Sequence, residues 1–208
     1  MAVRRSILRG VVFNLEGTLR VPPSLDLQAL RQAISKDADH RSPEQKAKAL
    51  QAIDSAVDAQ HQQQQQLGGS GAILGAKEVC DFIDARGLLR ALITSSSEDD
   101  MQRFLQLAEL NNCSQQFNPM IGKEYSSLKP FPDPLLHVFK QWGAKPWHVL
   151  MVGDTPAYDV ACGNAVGSLT CLVDPLFQYK NDTLPRQHRP TFKIHSLQEL
   201  MCLIQRLQ

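Results

Sequence analysis

No stretch of this 208-residue chain is apolar for long enough to span a bilayer, and neither sign of charge dominates. Lysine and arginine number 22 against 21 aspartates and glutamates, leaving a net charge of +1. Without a basic surplus, nucleic acid is not the expected partner, and without an apolar span a membrane is not either. The five cysteines, Cys80, Cys113, Cys162, Cys171 and Cys202, are odd in number and show no C-x-x-C spacing. That argues against a disulfide framework or a structural zinc site. It fits reduced thiols in the cytoplasm, with an organellar matrix left open. Cys80, Cys162, Cys171 and Cys202 have apolar neighbours and are expected in the core, and Cys113, in NNCSQQ, near the surface. The six histidines form no pair at metal-ligand spacing, and no G-x-S-x-G surrounds Ser95, Ser96 and Ser97. The acid-free opening MAVRRSILRG runs straight into an apolar strand, so it reads as a lead-in to the fold and not as a targeting peptide.

What is present is an alternation of short β-rich runs with helical patterns. GVVFN, LLRALIT, HVLMVGD and SLTCLVD read as strands, with FNPMIG and TFKI as weaker candidates. Their apolar residues are continuous rather than alternating, as in a parallel sheet covered on both faces. Met101, Phe104, Leu105 and Ala108 fall on one helical stripe, preceded by serine and acids suited to a helix start. Ser196 and Glu199 make a capping box ahead of Leu197, Leu200, Met201 and Ile204. Strand, helix, strand, helix is the order of a doubly wound α/β domain.

Residues 21–70 interrupt that order. Two helix candidates, 24–35 and 42–66, lead through five glutamines into the flexible GGSG. The expectation is a core made of 1–20 and 71–208, with 21–70 inserted as a small helical cap. Its stripe Leu50, Ile53 and Val57 would pack the cap itself.

In open α/β sheets, ligands gather at the carboxyl ends of the strands. Here those ends carry Asn14 with Glu16 beyond it, Thr94 with Ser95, and Asp154 with Asp159, while Lys129 lies in the proline-stiffened SLKPFPDP. Acids converging with a lysine suit a phosphate and a divalent cation. The carboxylates would hold the metal, while Lys129, the Thr94 hydroxyl and nearby backbone amides would hold the phosphate oxygens. Each residue also has a plainer reading. Asp154 and Asp159 could cap a helix, Lys129 could be a surface lysine, and Thr94 could simply end a strand.

Four segments, FNLEGTL, ALITSSS, LKPFPDP and VGDTPAYDVACGNAVG, resemble in order and spacing the motifs of the haloacid dehalogenase-like (HAD) superfamily. The likeness is greatest to small phosphoglycolate-phosphatase-type members. It implies a Rossmannoid, doubly wound parallel sheet with a small helical cap, and an aspartate nucleophile that forms an aspartyl-phosphate. It also implies a second aspartate as acid and base, and magnesium held by the motif-four acid and a motif-one backbone carbonyl. Carried over, the nucleophile position is Asn14 and the acid/base position Glu16. Thr94, Ser95 and Lys129 become the phosphate ligands. Asn14, Glu16, Asp154 and Asp159 become the metal positions.

Two of these positions depart from the family pattern. A neutral carboxamide at Asn14 is a very poor nucleophile and removes one negative charge from the metal site. Glu16 keeps a carboxyl but moves it out by one methylene. Three readings stand open: a pseudoenzyme serving as a binding or structural subunit, alone or within a larger complex; an active phosphatase in which Asn14 was engineered; and a non-covalent hydrolase in which Glu16 activates water. The first expects a protein partner and weakened or absent magnesium. The others expect magnesium and a small phosphorylated metabolite such as phosphoglycolate or a sugar phosphate.

Overall fold

The computed structural model describes residues 8–22, 71–111 and 116–208. By its internal contacts the chain divides into two compact units, Met1–Val21 with Ala72–Gln208, and Pro22–Gly71. The two helix candidates of the insertion, its glutamine run, the Leu50, Ile53 and Val57 stripe, and Cys113 lie outside the described residues.

Six strands of the first unit form one parallel sheet: β1 Gly10–Phe13, β2 Leu89–Ile93, β3 Met120–Ile121, β4 Val149–Gly153, β5 Leu169–Val173 and β6 Phe192–Ile194. Their order is β3-β2-β1-β4-β5-β6, so β1 lies centrally with β2 on one side and β4 on the other. The chain winds outward in both directions from that point, which opens a crevice beyond the tips of β1, β2 and β4.

The apolar runs make strands because both sides of each are covered. Val11 and Phe13 pack with α1 (Ala76–Asp84), α2 (Glu98–Leu107) and α5 (Leu197–Leu207). Val12 packs on the other side with α3 (Asp133–Trp142) and α4 (Ala161–Val166). All three side chains are fully buried. Burial stabilises each by roughly 1.5–3 kcal/mol, and that holds the strand leading to the site in one position.

Local signals match the expected helix ends. The Ser97 hydroxyl accepts from the Asp100 N–H, and the Ser196 hydroxyl from the Glu199 N–H. Gly167 closes α4 with φ at 75°, a left-handed angle that favours glycine. Met101, Phe104, Leu105 and Ala108 are buried, as are Leu197, Leu200 and Ile204. One expectation fails. Cys80, Cys162 and Cys171 are buried, but Cys202 is exposed. It stands two positions past Leu200, which puts it on the outer side of α5 despite its apolar neighbours. Among the described residues, no helix is long and apolar enough to cross a membrane.

Candidate functional site

The tips of β1, β2 and β4 stand level because their ladders are in register. Phe13 pairs with both Leu92 and Val152. The Asn14 N–H extends the ladder to Val152 O at 2.8 Å, and the Thr94 N–H does the same to Ile121 O at 3.0 Å. The chain then turns sharply after Asn14. The Leu15 carbonyl accepts from the N–H groups of Thr18, Leu19 and Arg20, at 3.3, 2.9 and 2.9 Å. Gly17 takes φ +74°, and a Cβ there would lie 2.2 Å from Asp154 Oδ2, so both backbone angle and space exclude a side chain. This loop turns Glu16 and Arg20 to the same side.

Asn14 makes three side-chain hydrogen bonds. Its Nδ2 donates to Asp154 Oδ1 at 2.9 Å and to the Glu16 backbone carbonyl at 2.7 Å. Its Oδ1 accepts from Lys129 Nζ at 3.0 Å. Chemistry fixes this amide orientation. Lys129 can only donate, and the Glu16 carbonyl and the ionised Asp154 carboxylate can only accept. Lys129 also pairs with Asp159 Oδ1 at 2.6 Å, and the Thr155 N–H donates to Asp159 Oδ2 at 3.0 Å. Asp159 sits in a π-helical turn, Pro156–Val160, that leads from β4 into α4.

Glu16 occupies a second cluster. Its Oε2 accepts from the Thr94 hydroxyl at 2.6 Å, and its Oε1 from the Ser96 hydroxyl at 2.5 Å and Arg20 Nη2 at 2.6 Å. Arg20 Nη2 reaches Asp100 Oδ2 as well, at 2.7 Å. Burial pushes the Glu16 carboxyl up, but the Ser96 and Thr94 hydroxyls and Arg20 outweigh it and hold it below the usual carboxylate range. Asp154 shifts the other way. Burial and the nearby Asp159 charge raise it, against a smaller opposing pull from the Asn14 amide and Lys129.

Asn14, Lys129, Asp154 and Asp159 thus meet in one network, and Glu16 and Thr94 in another, with Asn14 touching the Glu16 carbonyl between them. Ser95 is exposed, and the serine that reaches the cluster is Ser96. Sequence reasoning missed Ser96, Arg20 and Asp100. The four-residue spacing of Glu16 and Arg20 was an available signal, since opposite charges so spaced often pair. Nothing in the sequence marked Asp100 apart from the other acids that open α2. Among the described residues, no group of three or more histidine, cysteine, aspartate or glutamate side chains is placed to hold a metal ion.

A parallel, doubly wound sheet with charged groups gathered at its central strand tips defines an α/β protein of phosphatase-like architecture. The chain belongs to the haloacid dehalogenase-like hydrolase family, whose model matches residues 23–173. That span begins beyond Asn14 and Glu16. A haloacid dehalogenase-like hydrolase domain-containing protein of Arabidopsis thaliana is 34% identical over 95% of this chain and 84% of its own length. Among solved structures, a HAD phosphatase from Thermococcus onnurineus matches with a TM-score of 0.68 at 16% identity, covering 95% of this chain and 98% of that one. The magnesium-bound HAD-hydrolase YfnB of Bacillus subtilis matches with a TM-score of 0.61 at 17% identity, covering 95% and 99%.

Proposed function

We propose that this chain keeps the HAD fold but has lost phosphatase turnover, and that it works as a binding or structural subunit. The reading is carried by the Asn14 carboxamide. The family resemblance assigns the cation to a motif-one carboxylate, a motif-one backbone carbonyl and the motif-four acid. Here the corresponding carbonyl, of Glu16, and the acid, Asp154, both accept hydrogen bonds from Asn14 Nδ2. An N–H pair stands where positive charge would be needed. Turning the amide so that its oxygen served a cation would aim its N–H pair at the Lys129 ammonium, which now donates to that oxygen. The residues present therefore do not fit magnesium.

The acid/base position supports the same reading. A general acid must carry a proton at working pH. Glu16 is held ionised by three donors, so it is poorly suited to protonate a leaving group. Covalent attack would also need a carboxylate oxygen where the amide now stands. The Glu16 carboxylate is held by Arg20, and its backbone carbonyl by Asn14, so the departures form one connected arrangement. A trapping substitution would have altered Asn14 alone.

The test is a phosphatase assay with magnesium on p-nitrophenyl phosphate and phosphoglycolate. The unmodified chain, Asn14→Asp, and Asn14→Asp with Glu16→Asp are compared. No release by the unmodified chain is expected. Recovery should need both substitutions, because Glu16 is displaced as well as Asn14 neutral. Magnesium-dependent release by the unmodified chain would overturn the reading.

A further inference from the structure

The three donors around Glu16 converge on a single carboxylate. The Thr94 hydroxyl, the Ser96 hydroxyl and Arg20 Nη2 all lie within 2.6 Å of its two oxygens. Thr94 is 1% exposed, and the Ser96 N–H props its oxygen at 3.2 Å. The guanidinium has capacity to spare. Among the described residues its buried Nε–H has no acceptor, while Nη2 serves Glu16, Ser96 and Asp100. Two hydroxyls and a guanidinium around two oxygens make a seat for an oxyanion. One edge of a phosphate presents two oxygens much as a carboxylate does.

We propose that Thr94, Ser96 and Arg20 form a metal-independent oxyanion site that Glu16 keeps shut, and that a tetrahedral oxyanion such as inorganic phosphate or a phosphate monoester enters it only by displacing the Glu16 carboxylate. The extra methylene of glutamate carries the carboxylate from the loop to the hydroxyls. Arg20 would remain charged and in place when Glu16 leaves, because Asp100 Oδ2 holds the same Nη2 at 2.7 Å. An incoming anion competes with a carboxylate that is already attached to the seat. Its apparent affinity falls by the small fraction of molecules in which that carboxylate has swung away. The seat is therefore built for an anion and empties for one only under a strong competitor.

This deepens the reading of a site without turnover, and it rests on that reading, because Asn14 leaves no cation to draw phosphate in. The experiment follows inorganic phosphate by 31P NMR line broadening and by calorimetry, in chelator, on the full chain. The unmodified protein should bind phosphate only weakly. Glu16→Ala should bind at least roughly tenfold more tightly, the factor by which the closed state suppresses affinity. Adding Arg20→Gln should abolish the gain. Should Glu16→Ala fail to fold, Glu16→Gln keeps the side-chain size and removes the charge, and it should tighten binding in the same direction. Equal affinity of the unmodified chain and the Glu16 variants overturns the proposal, as does a gain that survives loss of Arg20. Hydrolysis by the unmodified chain would defeat the inactive reading alone, since free phosphate offers no bond to cleave.

Discussion

The Lys129 ammonium stands 2.6 Å from Asp159 Oδ1, with the two side chains only 9% and 2% exposed. Breaking a buried pair from one side strands the other charge, at a cost on the order of 3–5 kcal/mol. Lys129→Met and Asp159→Leu should each destabilise the chain by about that much in urea unfolding. The double variant should cost distinctly less than the two singles together, since neither charge is then left alone. Strict additivity would mean that the pair contributes nothing as a pair.

The same carboxylate limits what can stand at the end of β4. A Cβ added to Gly153 would fall 2.1 Å from Asp159 Cγ, closer than real Cβ contacts come. Gly153→Ala should push Asp159 away from both Lys129 and the Thr155 N–H. The expected loss is roughly 1–3 kcal/mol from overpacking, with more if the ion pair parts. Thermal unfolding measures it. A variant as stable as the parent would show that the π-helical turn yields freely.

Asn14→Asp sets a new carboxylate beside Asp154 and between groups that now receive an amide. In chelator, repulsion and the loss of two donated hydrogen bonds should lower stability by about 1–3 kcal/mol. Millimolar magnesium should restore it by binding the folded state, while leaving the parent's melting temperature unmoved. A parent that responds to magnesium as the variant does would contradict the account of the amide.

Glu16 sets a pH dependence whose sign is determined. Its carboxyl is held below the ordinary value of 4.5. The stability it adds is complete above that value and is lost as the pH falls through the lower folded value. Asp154 is raised above 3.8, so its protonation favours the folded state over the same descent and opposes the loss. Urea midpoints taken from neutrality down to about pH 3 should fall for the parent and fall less for Glu16→Gln. An identical acid limb in both would show that Glu16 is not the group responsible.

Much of the fold was legible because burial leaves a linear trace. Continuous apolar runs marked the inner strands, since a strand covered on both faces has no polar alternation to show. The stripe of Met101, Phe104 and Leu105 marked α2 for the complementary reason. The placement of the candidate residues was legible: Asn14 and Asp154 directly follow β1 and β4 and meet Lys129 and Asp159 in one network, while Thr94, directly after β2, meets Glu16 in the other. What sequence could not supply was direction. After β2 leaves the ladder, Ser95 faces solvent and Ser96 turns back to Glu16, a distinction that a run of three serines does not display. Cys202 was misplaced for a similar reason, since apolar neighbours reveal a helix but not which residue lies outside its stripe. Arg20 was missed because its role depends on a loop that closes on the Leu15 carbonyl.

Asparagine and aspartate share one outline, so the packing around β1 holds no record of which of them stood at position 14, and a return there would exchange a single heavy atom. Position 16 differs. Shortening that side chain withdraws it from two hydroxyls and leaves a guanidinium with one partner fewer. A lineage retracing its steps would find the first easy and the second uphill until Arg20 also changed. On the proposed reading the arrangement would act as a ratchet, in which the residue that silences the chemistry is not the one that bars the way back.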